Sequence, residues 1–474
     1  MQAKLFGSGV NGLFGANKRP WFGAEIPAGA QHRSLFSTRV MAAFVLLSLL
    51  IVGRLFNDVF CYLFLLAGVA LFVLLPIHEC IEIMVYILPF APILRLDLES
   101  LSFATYLYFG LLLRMIVFDS RFDRVSFTVF AAFGAFALII SGFGQITSVI
   151  TLVSGMLLLK KIDNYDINAE ATVVAFSAGM CLSSVVALFK DSLPLINKLI
   201  NVAMMKVDEG DYANRFAGVW GNPNYFTVDI IFLLACLVVI LLSKKTRPIY
   251  LILFGAMTVF GLMSISKSFL ISYALLLFLW FVFAVQKGGI ANASKFLLFG
   301  VILFGIIYIF AFESINLFLV RFAQDESNAT LDSVSTGRYS IWVRYINEVV
   351  QNPRVFLIGN GLNSWADVGK GSHNTFLEAL YYLGIFGIFL FIYGIKKAFE
   401  GLRWSAVLFI PVAILLLRML AIALLTHDNL WIYFMLLKVL SFSLKPESPA
   451  ARLEESVQRD WFFGRVHGRK MQWD

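Results

Sequence analysis

Apolar runs of about 17 to 25 residues, long enough to cross a hydrocarbon layer as helices, recur along this chain from Val40 to Leu444, with charges confined to the stretches between them. A water-soluble core cannot absorb that much apolar side chain: 59% of the residues are hydrophobic and 14% charged, where soluble domains carry roughly a quarter charged residues. About fourteen runs can be delimited, so the pattern predicts an all-α polytopic membrane protein of about 12–14 transmembrane helices. The net charge of +8 comes from Lys and Arg scattered through short connections rather than gathered on one face, which argues for a topology signal and against nucleic acid as a partner. Cys61, Cys80, Cys181 and Cys236 all fall inside apolar runs without CxxC spacing and read as small apolar residues.

The connections alternate in charge. With the N-terminus inside, the inner connections hold Arg121, Arg124, Lys160, Lys161, Lys244, Lys245, Arg247, Lys287, Lys295, Lys396, Lys397 and Arg403, while short outer ones hold only Arg54, Arg95 and Lys267. Cytoplasmic loops are the ones enriched in Lys and Arg, so both termini are expected in the cytoplasm. The chain then divides into a tail at 1–39, helices at 40–189, an outer loop at 190–224, helices at 225–318, a long outer loop at 319–374, helices at 375–444 and a second tail at 445–474. Within the longer loop, Ile341, Trp342, Tyr345, Ile346 and Val349 have the spacing of an amphipathic helix lying at the interface, stopped by Asn352-Pro353. The run Asp208-Glu209-Gly210-Asp211 lacks the ligand spacing of a calcium loop, and no metal site or cofactor is expected.

Chemistry-bearing residues concentrate in the two outer loops. Of five histidines only His373 and His427 fall outside, and a neutral imidazole at His373, where a polar loop becomes an apolar helix, can take a proton from a hydroxyl near neutral pH. Arg215 precedes Gly218, Gly221 and Asn222-Pro223-Asn224, a turn that suits a guanidinium held for bidentate binding of phosphate or diphosphate. Arg338, next to the start of the amphipathic helix, offers a second fork. Taken singly, either Arg is equally explained by snorkelling to headgroups. Lys267 is the lone charge of a short outer hairpin and reads as a point charge for the same anion or as an interfacial anchor. Arg114 and Arg418 interrupt apolar runs, where an ionised side chain is expensive and turns to a partner or a cavity; Arg418, nearer the outer side, is the better functional candidate. His427-Asp428 can orient or replace the base, or form a polar turn.

Taken in order, these motifs resemble the bacterial O-antigen polymerase and O-antigen ligase family, the polyprenyl-diphosphate-linked glycan transferases. The resemblance rests on Arg215 with Gly218 and Asn222-Pro223-Asn224, on Gly337-Arg338 followed by Trp342, on Gly359-Asn360-Gly361 leading to His373-Asn374 and Leu377, and on Gly384 and Gly387. It covers about residues 200–400. It implies a membrane-embedded glycosyltransferase of the bacterial inner (cytoplasmic) membrane with its active face and both long loops periplasmic. The leading expectation is a polymerase of O-antigen, capsule or exopolysaccharide, transferring undecaprenyl-diphosphate-linked glycan to an acceptor glycan or lipid-linked oligosaccharide, with a chain-length regulator as a further partner. The alternative is a ligase moving finished glycan onto lipid A core; a protein O-oligosaccharyltransferase and a membrane transporter rank behind it. Carried over by motif, Arg215 and Arg338, with Lys267, bind the donor diphosphate and His373 acts as the base, with Asn224, Asn374, Glu378, His427 and Arg418 in support. Many family members have Arg where this chain has Lys267.

Overall fold

The computed structural model describes residues 35–444, apart from 98–99, 119–122, 190–191, 193–198, 201–203, 209–210, 244–246, 287–299, 302–304, 306–307, 310–311, 314–315, 318–337, 365–367, 370 and 428, and only the backbone of 204–208 and 211–214. Nearly all of both expected tails, most of the expected span at 296–317, the start of the long loop and Asp428 lie outside the described residues.

Seven helices come first: α1 (Thr38–Arg54), α2 (Val59–Leu74), α3 (Ile77–Ile87), α4 (Phe103–Phe118), α5 (Arg124–Ser141), α6 (Ile146–Lys161) and α7 (Ala169–Leu188). A short antiparallel hairpin of β1 (Met204–Asp208) and β2 (Asp211–Asn214) precedes α8 (Pro223–Ser243), α9 (Pro248–Met263) and α10 (Lys267–Gln286). The remainder is α11 (Arg338–Gln351), α12 (Pro353–Ile358), α13 (Thr375–Ala398), α14 (Phe409–Ala421) and α15 (Asn429–Ser443). Several starts are written locally: the side chains of Ser37, Asp123, Asn168, Asn352 and Asn374 accept hydrogen bonds from first-turn amides, satisfying donors that a helix leaves open.

Among the described residues six helices are long and apolar enough to cross a membrane, and five shorter ones are apolar. Side chains such as Leu66, Val73, Phe118 and Ile139 lie exposed on the flanks, a surface that suits lipid rather than water. The chain is a multi-pass, all-α membrane protein. Its axis is α8, buried at every position from Phe226 to Ile240 and packed by α7, α9 and α14; a helix that is apolar all round has no face to give to solvent.

Two expectations change. The apolar run at 80–94 is not one straight span: α3 ends at Ile87 and Leu88–Ile93 tightens into a 3-10 segment containing Pro89 and Pro92, because proline cannot continue the helical ladder. Eleven residues rise only about 16 Å, well short of a hydrocarbon core of about 30 Å. The outer loop at 190–224, expected without strands, contains the hairpin, with Met204 opposite Asn214 and Asp208 opposite Asp211. Asp208 and Asp211 of the acidic run considered as a cation loop are thus paired backbone positions of the two strands.

Buried cations hold helix ends together. Lys438 of α15 is fully buried and donates to the carbonyls of Leu159 (2.7 Å) at the end of α6 and Ala398 (2.5 Å) at the end of α13, while pairing with Asp163 at 2.6 Å. Around it Lys160 bridges Asp123 (3.5 Å) and Glu400 (2.9 Å), and Lys397 reaches Glu400 at 2.6 Å. Arg114 likewise donates to the carbonyls of Phe72 and Leu75 at the end of α2, which accounts for a cation in an apolar run without a functional role. Replacing Lys438 with Met strands the Asp163 carboxylate and is expected to cost about 3–5 kcal/mol. Adding Asp163→Asn should recover much of that loss. Thermal unfolding of the purified single and double variants checks this; equal midpoints for the two would refute it.

Candidate functional site

The opposite end of the bundle is built around Asn224, in the first turn of α8. Its Oδ1 accepts from Arg215 Nη2 (3.4 Å) and Ser266 Oγ (3.2 Å), while its carbonyl accepts from Arg418 Nη2 (3.0 Å) and from Thr227 Oγ1 (2.9 Å). Arg215 Nε also donates to the Ser264 carbonyl at 3.2 Å, and the Phe216 amide to that of Met263. The Arg215 turn is thus docked on the α9–α10 connection, where Lys267 follows Ser266 half-buried at the start of α10. Gly218 and Gly221 both take positive φ, and a Cβ at Gly218 would run into the Phe226 ring, so the glycines of this motif serve the turn itself.

Arg418 sits one turn from the end of α14, wholly buried. Besides Asn224, its Nη2 donates to Thr227 Oγ1 at 3.0 Å, but Nε and Nη1 have no hydrogen-bond partner among the described residues. Arg338, the first residue of α11, stands close enough for the two like charges to repel, and burial lowers its own pKa.

α11 carries Arg338 to the His373 turn. Trp342 Nε1 donates to the Ser372 carbonyl at 2.8 Å, and Tyr345 is buried between this turn and α13, 4.9 Å from the Tyr381 ring. Ser372 and Asn374 are cross-bonded, Ser372 Oγ to the Asn374 carbonyl (2.8 Å) and the Asn374 amide to Ser372 Oγ (3.1 Å). Between them His373 is half-buried at φ +50°. Asn374 caps α13 through the Phe376 and Leu377 amides. Thr375 ties this start to the 422–424 loop, donating to the Ile422 carbonyl (2.7 Å) and accepting from the Leu424 amide (2.9 Å). One turn on, Glu378 is buried beside Tyr382 and the Leu425 backbone, its Oε2 without a hydrogen-bond partner. Burial and then the Glu378 charge push the Tyr345 phenol well above its ordinary pKa.

His427 is reached through α8 as well. Its ring stacks on Tyr225 (4.9 Å between centroids, 8° between planes) and lies 5.8 Å from Trp220, while Nδ1 accepts from the Asn429 amide at 3.3 Å. Tyr225 in turn donates to the Ala423 carbonyl. Enclosure among rings pushes the His427 pKa down to about 4, so this histidine is held neutral. Among the described residues no group of three His, Cys, Asp or Glu side chains is placed to hold a metal ion.

Set against known protein families, curated proteins and solved structures, the chain matches none.

Arg215, Asn224, Arg338, Arg418, His373, Asn374, Glu378 and His427 therefore share one end of the bundle through short chains of contacts, with Lys267 beside Ser266. Glycine positions far apart in sequence also meet. α13 breaks helical geometry at Gly384 (φ +59°, ψ −177°), and the Asn360 and Gly361 amides donate to the carbonyls of Tyr381 (2.8 Å) and Tyr382 (3.0 Å). A Cβ at Gly384 would lie 2.5 Å from the Gly359 nitrogen. Sequence reasoning passed over Tyr225, Tyr345, Thr375 and Tyr382. The available signals were adjacency for Tyr225 and Thr375, and the i, i+4 spacing of Glu378 and Tyr382 on one helix face.

Two predictions follow from this geometry. Gly384→Ala should lower stability by about 2 kcal/mol or more, since it forces both a positive φ and a backbone clash; an unchanged melting temperature would show that the kink relaxes freely. For His427 the folded pKa of about 4 lies below an unfolded value of about 6.5, so the unfolded state binds the proton first as pH falls. Its stabilising contribution is complete above about pH 6.5 and is lost on descending towards pH 4. His427→Phe, which keeps a ring in the stack, should flatten the melting-temperature profile over that window.

Proposed function

We propose that the chain is a membrane-embedded glycosyltransferase that polymerises polysaccharide from a polyprenyl-diphosphate-linked donor. The observation that carries this reading is the meeting of Arg215 and Arg418 on Asn224 at the start of α8, with Arg338 within electrostatic reach of Arg418 and its helix tied by Trp342 to the His373 turn. Fixed cations at one end of an apolar bundle suit a ligand whose diphosphate lies at the membrane surface while its hydrocarbon tail stays in lipid.

In the proposed reaction an acceptor hydroxyl oxygen attacks the anomeric carbon, and the bond from that carbon to the diphosphate oxygen breaks with its electron pair leaving on the diphosphate. Arg215 and Arg338 neutralise the charge that grows there. The hydroxyl proton passes to the His373 imidazole, which requires no group beyond the chain's own residues to start the transfer. Asn374 and Thr375 position the turn, and His427, whose Nδ1 already accepts from the Asn429 amide, supports it through the Tyr225 stack.

The ionic cluster of Lys160, Lys397 and Lys438 at the far end supports placing that end in the cytoplasm and the site in the periplasm of a bacterial inner membrane. With lipid-linked glycan as substrate, His373→Ala should lower turnover about 100-fold or more. Arg215→Lys and Arg338→Lys should raise the donor requirement about 10-fold, since Lys keeps the charge but lacks the planar fork. Full turnover by His373→Ala would remove it as the base, and unchanged donor dependence would defeat the clamp. Loss of the protein in cells should leave single repeat units on the surface lipid; their complete absence would mark a ligase instead.

A further inference from the structure

Two of the buried cations have carboxylate partners. Arg54 pairs with Asp58 at 2.7 Å, and Lys438 with Asp163 at 2.6 Å. Arg418, equally buried, has no carboxylate paired with it among the described residues; the side chains acting on its charge are Arg338, which repels it, and the phenol of Tyr433. Its Nη2 is used on α8, holding the Asn224 carbonyl and Thr227. Nε and Nη1 have no hydrogen-bond partner among the described residues. Placing two guanidinium groups near one another in a low-dielectric interior is costly unless an anion joins them. The same carbonyl and side chain of Asn224 also link Arg418 to Arg215, and the start of α8 adds the positive end of a 21-residue helix dipole.

Resting on the glycosyltransferase reading above, we propose that Arg418 is a third cationic ligand of the donor: its unpartnered Nη1 amino group and Arg338 together seat a phosphate group of the lipid-linked diphosphate, with Arg215 holding the other from across Asn224. Seating the anion also explains why a guanidinium is placed here. An ammonium that holds Asn224 and Thr227 as Nη2 does has one N–H left, whereas the guanidinium has three. The phosphate of a bilayer phospholipid has related chemistry, carrying one negative charge where a diphosphate diester carries two.

The test measures binding of farnesyl diphosphate to the purified protein in phosphatidylcholine nanodiscs, by the ligand-induced rise in melting temperature and by titration, with inorganic pyrophosphate and phosphatidylglycerol as parallel probes. Wild type should bind both diphosphates and remain insensitive to phosphatidylglycerol. Arg418→Lys should melt near wild type without ligand yet bind farnesyl diphosphate about 10-fold or more weakly. Arg338→Gln should weaken binding similarly, and the double variant by less than the product of the two, because both residues hold one phosphate. If Arg418→Lys binds like wild type while Arg215→Lys is impaired, Arg418 is only a brace for α8: this proposal falls and the glycosyltransferase reading stands. If wild type binds no diphosphate, both fall. Competition by phosphatidylglycerol at the same strength would assign the seat to membrane lipid and overturn the proposal.

Discussion

A backbone carbonyl that loses its helical partner inside a bilayer has no water to turn to, and this chain meets that constraint with buried cations. Arg114 takes the carbonyls that end α2, Lys438 those that end α6 and α13, and Arg54 reaches the Arg95 carbonyl at 2.9 Å. Lys438 lets two carbonyl ends meet that would otherwise repel one another as aligned dipoles. Arg418 also donates to a backbone carbonyl, that of Asn224, but in the first turn of α8 rather than at a carbonyl end. It differs from Lys438 and Arg54 in charge balance: those two have carboxylates, whereas Arg418, like Arg114, has none paired with it among the described residues and lies within reach of the Arg338 charge.

The Gly384 kink meets the same constraint from the other direction. Breaking α13 there frees the carbonyls of Tyr381 and Tyr382, and the loop after α12 brings two amides to them. That loop reaches further: the Leu362 amide donates to Ser141 Oγ at 2.8 Å, and Asn363 Nδ2 to Gln145 Oε1 at 2.7 Å. The segment from Arg338 to Asn363 is therefore fastened to α5, the start of α6 and α13 at once. The relative placing of Arg338 and His373 depends on a bend inside a membrane helix rather than on the surface loop that carries them.

Much of this was legible in the chain. Apolar period and length mark the helices, Asn374 and Asn352 mark starts, and the spacing of Ile341, Trp342, Tyr345 and Val349 marks α11. The pairing of Gly359–Gly361 with Gly384 was not, because glycine signals a special backbone locally and says nothing of which distant backbone it approaches. The β hairpin escaped notice since strands of four and five residues carry too few alternations to stand out from a polar loop. Arg418 was visible as a charge in an apolar run; its distinction from Arg114 was not, for it lies in the partners each finds across 190 residues or more in one case and about 40 in the other.

The two histidines at this end show how position decides role among identical side chains. His427 has one nitrogen occupied by a backbone amide, a ring stacked face to face on Tyr225, and a neutral state enforced by enclosure; such a group is a rigid spacer that turns proton exchange away. His373 is held in a left-handed conformation that a side chain adopts only at a cost of about 1 kcal/mol or more. That conformation persists because both neighbours are fastened, Ser372 by Trp342 and by Asn374, and Thr375 by the 422–424 loop. A chain that wanted only a polar turn here would use glycine or asparagine, which take this conformation more readily. The fastened, left-handed His373 lies at the end of the bundle that also carries Arg215 and Arg418, which is the arrangement the proposed transfer asks of its base.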